Sequence, residues 1–143
     1  MVIAFNTKHL DEMELTEERM DIIKRARDHF LILSRINLAS TSVSKDRTVL
    51  GVLGAVVMGE GECEVFIIPS ETRKSYAVTF LRDVRQELER MKGQFCKIRA
   101  MGVDSPFFTR WFTNLGFALE GPVTRAGDEG KLMWVMDGKG GKV

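Results

Sequence analysis

The sequence predicts a mixed α/β fold with a sheet of about seven strands, and three observations lead to this prediction. Apolar residues alternate with polar ones, or form short apolar runs, in seven segments, and they recur at helical spacing in three others. A strand, a helix and a second strand follow one another over residues 62–103, which predicts a right-handed parallel crossover within one sheet. The other strands look antiparallel. We therefore expect a central parallel β-α-β crossover with flanking helices.

The predicted strands span residues 2–5, 36–43, 48–58, 62–68, 95–103, 117–123 and 132–136. The first predicted helix covers residues 17–34, because Thr16 is a good N-cap and acidic residues follow it. The second helix covers residues 72–92 and ends at Gly93. Its apolar stripe consists of Ala77, Phe80, Leu81, Val84, Leu88 and Met91. Its polar face consists of Arg82, Asp83, Arg85, Glu87, Glu89 and Arg90.

A third, shorter helix opens on Ser105 and Pro106, with serine as the N-cap and proline at the first helical position. It ends at Gly116. Its predicted buried face is Phe107, Phe108, Trp111, Phe112 and Leu115. The four aromatic side chains occupy about half of the helix circumference. The stripe is therefore interpreted either as core alone or as core with an exposed surface for a partner.

The composition is that of an average soluble domain, with 143 residues, 44% hydrophobic and 29% charged, and a net charge of +1. We expect no membrane span and no signal peptide, because no apolar run is long enough. The charge balance argues against a nucleic-acid binder. The two cysteines and two histidines lack metal-ligand spacing, so no metal site is predicted. Free thiols indicate a reducing compartment, and hence a cytoplasmic protein.

The charge is unevenly distributed along the chain. Residues 11–21 hold six acids and one base, whereas residues 73–99 hold eight bases and three acids. One interpretation is that both segments are solvated helix faces. The other is that the basic middle of the chain faces an anion.

The segment from Ser105 to Phe117 resembles a motif of the Gcn5-related N-acetyltransferases (GNAT), which often reads N-x-x-A-x-x-x-Y-x-K-x-G-F. Leu115, Gly116 and Phe117 match its helix-to-strand junction. The predicted order of elements resembles the GNAT fold over nearly the whole chain. The resemblance implies a single GNAT-like domain over residues 1–137, followed by a loose tail rich in glycine and lysine over residues 138–143.

The resemblance also implies a site for acetyl-CoA. In GNAT enzymes a strand pairs with the pantetheine arm, and the following turn, R/Q-x-x-G-x-G/A, binds the pyrophosphate. The matching strand residues are Phe66, Ile67 and Ile68. The matching turn residues are Thr72, Arg73, Lys74, Ser75, Tyr76 and Ala77. Ser75 replaces the first glycine and Thr72 the basic or amide residue, so an ordinary helix start with solvated Arg73 and Lys74 is the alternative.

The resemblance places a general base on the strand before that turn, at Glu62 or Glu64. Both glutamates share one face of the strand, and Glu64 is the better candidate because it lies nearer the middle. The alternative is a solvent-facing pair on the polar half of the strand. The family's tyrosine acid corresponds to Phe112, which cannot titrate, and its asparagine corresponds to Ser105.

Three hypotheses follow. The first is an acyl-CoA-dependent N-acetyltransferase with an amine acceptor. The second is a catalytically inactive GNAT-fold protein of a virion or its assembly. It follows from the missing motif residues and from a resemblance to small proteins of tailed bacteriophages, including the internal-virion-type proteins of T7-like podophages. Residues 124–127 and the glycine-rich end carry that resemblance, which implies the host cytoplasm or the virion. A regulator binding another anion near Arg73 and Lys74 is the third.

Overall fold

The computed structural model describes residues 1–6, 8–12, 39–43, 46–70, 74–124 and 129–140. Its strands are β1 (Val2–Ala4), β2 (Ala39–Val43), β3 (Val49–Gly59), β4 (Glu62–Pro69), β5 (Lys97–Val103), β6 (Ala118–Pro122) and β7 (Lys131–Asp137). Its helices are α1 (Lys8–Asp11), α2 (Lys74–Lys92) and α3 (Pro106–Leu115). The predicted helix over residues 17–34 lies outside the described residues.

The seven strands form one mixed sheet in the order β1-β2-β3-β4-β5-β7-β6. Strands β4 and β5 are parallel, and α2 lies between them in sequence. The pairs β1–β2, β2–β3, β5–β7 and β6–β7 are antiparallel. The predicted mixed sheet with a central parallel crossover is therefore confirmed.

The chain divides into two compact units, the first comprising Met1–Val56 and Phe66–Glu87. Its core lies between β3 and α2. Gly51 permits their close approach, because a Cβ there would lie 2.3 Å from the ring of Phe80. Asp83, predicted for the polar face of α2, is instead buried and accepts a hydrogen bond of 2.7 Å from the Ser42 hydroxyl. The Met1 ammonium, which lies 2.9 Å from the same carboxylate, gives the buried charge an ion pair.

The second unit comprises Val57–Val65 and Leu88–Val143. Its core is formed by α3 and the buried side chains of β5 and β7. Phe112 is only 2% exposed and stacks on Trp134 with ring centroids 5.6 Å apart. A Cβ on Gly102 would lie 2.5 Å from the Phe112 ring, so a larger residue there would force the ring to shift.

Helix α3 is bounded as the sequence predicts. The Ser105 side chain accepts a hydrogen bond from the Phe108 amide, Pro106 opens the helix, and Gly116 closes it in the left-handed region at φ 97°. The prediction that Phe107 is buried is wrong, because this side chain is 47% exposed. Five large side chains span more of the helix than one core-facing stripe can bury.

The predicted loose tail begins with residues that are hydrogen-bonded. The Gly138 amide donates to the Cys96 carbonyl at 2.8 Å, and the amides of Lys139 and Gly140 donate to the Lys92 carbonyl. These contacts satisfy a carbonyl at the end of α2 that has no partner within the helix. The single domain over residues 1–137 stays a prediction.

Candidate functional site

Strand β4 carries both predicted base residues. It follows β3 through the turn at Glu60 and Gly61, and alternation places Glu62 and Glu64 on one face. Their surroundings differ: Glu64 is 3% exposed, whereas the Glu62 side chain is 38% exposed. The interpretation of a solvent-facing pair is therefore wrong for Glu64, because alternation along a strand shows which residues share a face but not whether that face is exposed to water.

An ion-pair network, which we call the Arg99 network, consists of Glu62, Arg99 and Glu120. The Arg99 Nη1 atom lies 3.3 Å from Oε1 of Glu62. The Arg99 Nε atom lies 3.1 and 3.2 Å from the two carboxylate oxygens of Glu120. One guanidinium therefore joins side chains from β4 and β6 to its own strand, β5.

The sequence analysis missed this network, since it counted Arg99 within the basic segment that one interpretation places opposite an anion. In the structure two carboxylates neutralise Arg99. Burial works against the charged guanidinium, but the hydrogen bonds and charges of Glu120 and Glu62 outweigh it and raise the pKa of Arg99. The sequence gives little indication that Arg99 and Glu120 form an ion pair, because they lie 21 residues apart. Only the strand order β5-β7-β6 brings the two side chains together.

The neighbour of Glu64 on the opposite face, Cys63, is buried and has a free thiol. Burial, with a further contribution from the charge of Glu64, raises the pKa of Cys63 from 9.0 to about 12. A thiol held in its neutral form is a poor nucleophile. This arrangement favours Glu64 rather than Cys63 as the group that could take part in chemistry on β4.

The predicted pantetheine strand follows directly on β4. Phe66 and Ile67 are half-buried and Ile68 is buried. The parallel ladder with β5 runs from the pair Glu62–Lys97 to the pair Val65–Ala100. Residues 66–68 therefore lie beyond the last pair of that ladder, in extended backbone that could pair with an amide-containing ligand.

The predicted pyrophosphate turn leads into α2, whose first four residues are Lys74, Ser75, Tyr76 and Ala77. Thr72 and Arg73 lie outside the described residues. The first turn of this 19-residue helix contains no acidic residue. The amides of a first turn have no partner within the helix and carry partial positive charge, so this end suits a phosphate group. The described residues thus fit the anionic part of acetyl-CoA.

Helix α3 provides no acid at the position that matches the GNAT tyrosine. Phe112 occupies it and lies wholly in the core. Ser105, at the asparagine position, caps the helix. Within the described part of the chain, no group of three or more histidine, cysteine, aspartate or glutamate residues could hold a metal ion. No helix among the described residues is long and apolar enough to span a membrane.

Solved structures match the chain over almost its whole length. A GNAT-family acetyltransferase from Bacillus cereus ATCC 10987 is 17% identical, with a TM-score of 0.66 and 97% of each chain covered. Ribosomal-protein-S5-alanine acetyltransferase from Vibrio fischeri is 14% identical, with a TM-score of 0.65, covering 99% of this chain and 94% of its own. A mutant of spermidine N-acetyltransferase from Vibrio cholerae is 12% identical, with a TM-score of 0.67, covering 96% and 92%.

No protein-family model matches the sequence, and no curated protein matches it. The structural matches show the fold: the chain has the mixed seven-stranded sheet of the GNAT acetyltransferases.

Proposed function

From this GNAT fold, we propose that the chain is an acyl-CoA-dependent N-acetyltransferase that uses acetyl-CoA and an amine acceptor. The observation that carries the proposal is a buried carboxylate, Glu64, on the central strand β4 of that fold. A cytoplasmic location follows from this proposal.

The amides of Lys74 to Ala77 would bind the pyrophosphate, and Arg73 and Lys74 are cationic residues in the same segment of the sequence. The backbone of Phe66, Ile67 and Ile68 would pair with the pantetheine arm. Thr72 lies between these two segments in the sequence. Bound acetyl-CoA supplies a thioester, whose acyl carbon forms the new C–N bond while its C–S bond breaks.

Glu64 takes the proton of the attacking amine in this proposal, either directly or through one water molecule. Glu62 lies on the same face of β4 as Glu64, and its carboxylate is paired with Arg99. Phe112 cannot protonate the departing thiolate, so the proposed mechanism uses solvent for that step. Positioning of the two substrates then supplies a large part of the rate.

The experiment is an acetyl-transfer assay with acetyl-CoA and three amines: spermidine, an aminoglycoside and a peptide with an N-terminal alanine. Products are identified by mass spectrometry. We expect Glu64→Gln to lower kcat by about 100-fold or more, because a positioned base contributes 10²–10⁴-fold. The matched control is Glu60→Gln, which changes an exposed glutamate in the adjacent turn. Equal activity of both variants would contradict the assignment of Glu64.

A second candidate function is a catalytically inactive GNAT-fold protein of a phage virion or its assembly. The observation that favours it is exposed apolar surface in the second unit, at Phe107 and Leu119. Its partners would be other virion proteins. Absence of the protein from purified particles would exclude the virion version, and a robust acetylated product would count against an inactive protein.

A further inference from the structure

The last turn of α2 depends on two different parts of the chain for its hydrogen bonds. The final four carbonyls of a helix have no partner within it. Residues 93–95, which follow directly, donate their amides to the carbonyls of Arg90 and Met91 at 2.9–3.2 Å. The carbonyl of Lys92, the last helical residue, is satisfied instead by residues that follow β7.

Those residues are 138–140, which we call the strap. The amides of Lys139 and Gly140 donate to the Lys92 carbonyl at 2.7 and 3.0 Å. One carbonyl oxygen thus accepts two hydrogen bonds from consecutive residues, which uses both of its lone pairs. The strap therefore lies against the end of α2 through backbone contacts alone, whatever side chain the middle residue carries.

A third hydrogen bond joins the strap to the start of β5. The Gly138 amide donates to the Cys96 carbonyl at 2.8 Å. The Cys96 amide donates in turn to the Gly61 carbonyl at 2.7 Å, in the turn between β3 and β4. The connection between α2 and β5, residues 93–96, is therefore held by the strap at both of its ends.

Both glycines of the strap lie where a side chain has no room. Gly138 is buried, and a Cβ there would clash with the Phe95 carbonyl oxygen and lie 3.0 Å from that of Lys92. A Cβ on Gly140 would clash with the Gly93 carbonyl oxygen. These neighbours are backbone atoms, which cannot turn aside as the end of a flexible side chain can. Glycine permits such a close approach of two backbones.

We propose that the strap is a closed part of the fold that pins the connection between α2 and β5, and that it closes only with glycine at positions 138 and 140. When it opens, the carbonyls of Lys92 and Cys96 lose these partners together, so the strap and the connection loosen as one local unit. The domain predicted over residues 1–137 then extends to Gly140. The strap does not depend on acetyl transfer, so this proposal and the proposed function can fail separately.

Hydrogen exchange of single amides, followed by NMR on the full chain, tests the proposal. In wild type we expect the amides of residues 138–140 to exchange about 10-fold or more slowly than in an unstructured chain. Gly138→Ala and Gly140→Ala should abolish this protection, because the new methyl group forces the strap away from the backbone. The matched control is Lys139→Ala, which changes an exposed side chain, keeps all three backbone donors and should keep the protection.

Thermal denaturation gives a second measurement. Gly138→Ala should lower the melting temperature by about 3–10 °C, as overpacking does in a chain of this length. Gly59→Ala, where a Cβ would meet nothing within 4 Å, should lower it by less than half as much. If Gly138→Ala does not fold, Gly140→Ala and the wild-type exchange rates decide.

Two results would overturn the proposal. One is wild-type exchange at residues 138–140 that is as fast as in an unstructured chain. The other is protection and a melting temperature that stay unchanged in both alanine variants of the strap.

Discussion

Single side chains on β4 decide what the proposed site can do. Glu64 and Cys63 are adjacent and both are buried. Burial, together with the charge of Glu64, raises the pKa of the Cys63 thiol to about 12. The proposed chemistry uses the carboxylate of Glu64, whereas a thiol held in its neutral form is a poor nucleophile. Cys63 is therefore expected to be a structural residue.

This assignment predicts a pH dependence of stability. The folded state holds the Cys63 proton to about pH 12, whereas the unfolded state releases it near pH 9.0. The stabilisation is complete below pH 9.0 and is lost as the pH rises towards the folded pKa. From pH 9 upwards, the free energy of unfolding of wild type should fall faster than that of Cys63→Ala, by at most about 1.4 kcal/mol for each pH unit.

Urea denaturation at a series of pH values checks this prediction. Cys96→Ala serves as the control for loss of a thiol, since Cys96 is only half-buried. Curves for wild type and Cys63→Ala that stay parallel from pH 8 to pH 10.5 would contradict it.

At the scale of elements, α3 shows that local sequence predicts where a helix begins and ends but not how it packs. Its N-cap, its proline and its closing glycine all lie within a few residues of the helix, and the predicted bounds agree with the structure. Its packing is less local, because Gly102 on β5 provides the space that the Phe112 ring fills.

We predict that Gly102→Ala destabilises the protein by about 1–3 kcal/mol, as overpacking of a core does. The new methyl group would lie 2.5 Å from a ring that is only 2% exposed, so the ring would have to shift within the core. Thermal denaturation provides the measurement. The matched control is Gly59→Ala at the end of β3, where a Cβ would meet nothing within 4 Å. Equal melting temperatures for the two variants would show that Phe112 does not close over Gly102.

The limits of the sequence prediction also appear at this scale. Alternation predicts which residues share a face of a strand or helix, but it does not show which face later elements cover. Asp83 was therefore assigned to a polar face, and a solvent-facing position stayed open as the alternative for Glu64, although both side chains are buried. The Arg99 network was missed for a related reason: the partners lie on three strands, and their order in the sheet is not the order of the sequence.

At the scale of the whole molecule, the fold was predictable, because the spacing of hydrophobic residues along the chain predicts the order of strands and helices. The parallel crossover follows from one strand–helix–strand unit. The proposed cofactor site depends more on backbone than on side chains, since helix amides and an extended strand would make most of the contacts. Substitutions such as Ser75 for glycine therefore weaken the sequence signal more than they weaken the proposed site.

The central claim is that this GNAT fold binds acetyl-CoA, and calorimetric titration of the protein with acetyl-CoA tests it most directly. The account predicts saturable binding of one acetyl-CoA per chain, and weaker binding of acetyl-pantetheine, which lacks the pyrophosphate. At a ligand concentration 100 times the Kd, binding should stabilise the fold by about 2.7 kcal/mol. No heat of binding and no rise in melting temperature at millimolar acetyl-CoA would contradict the claim.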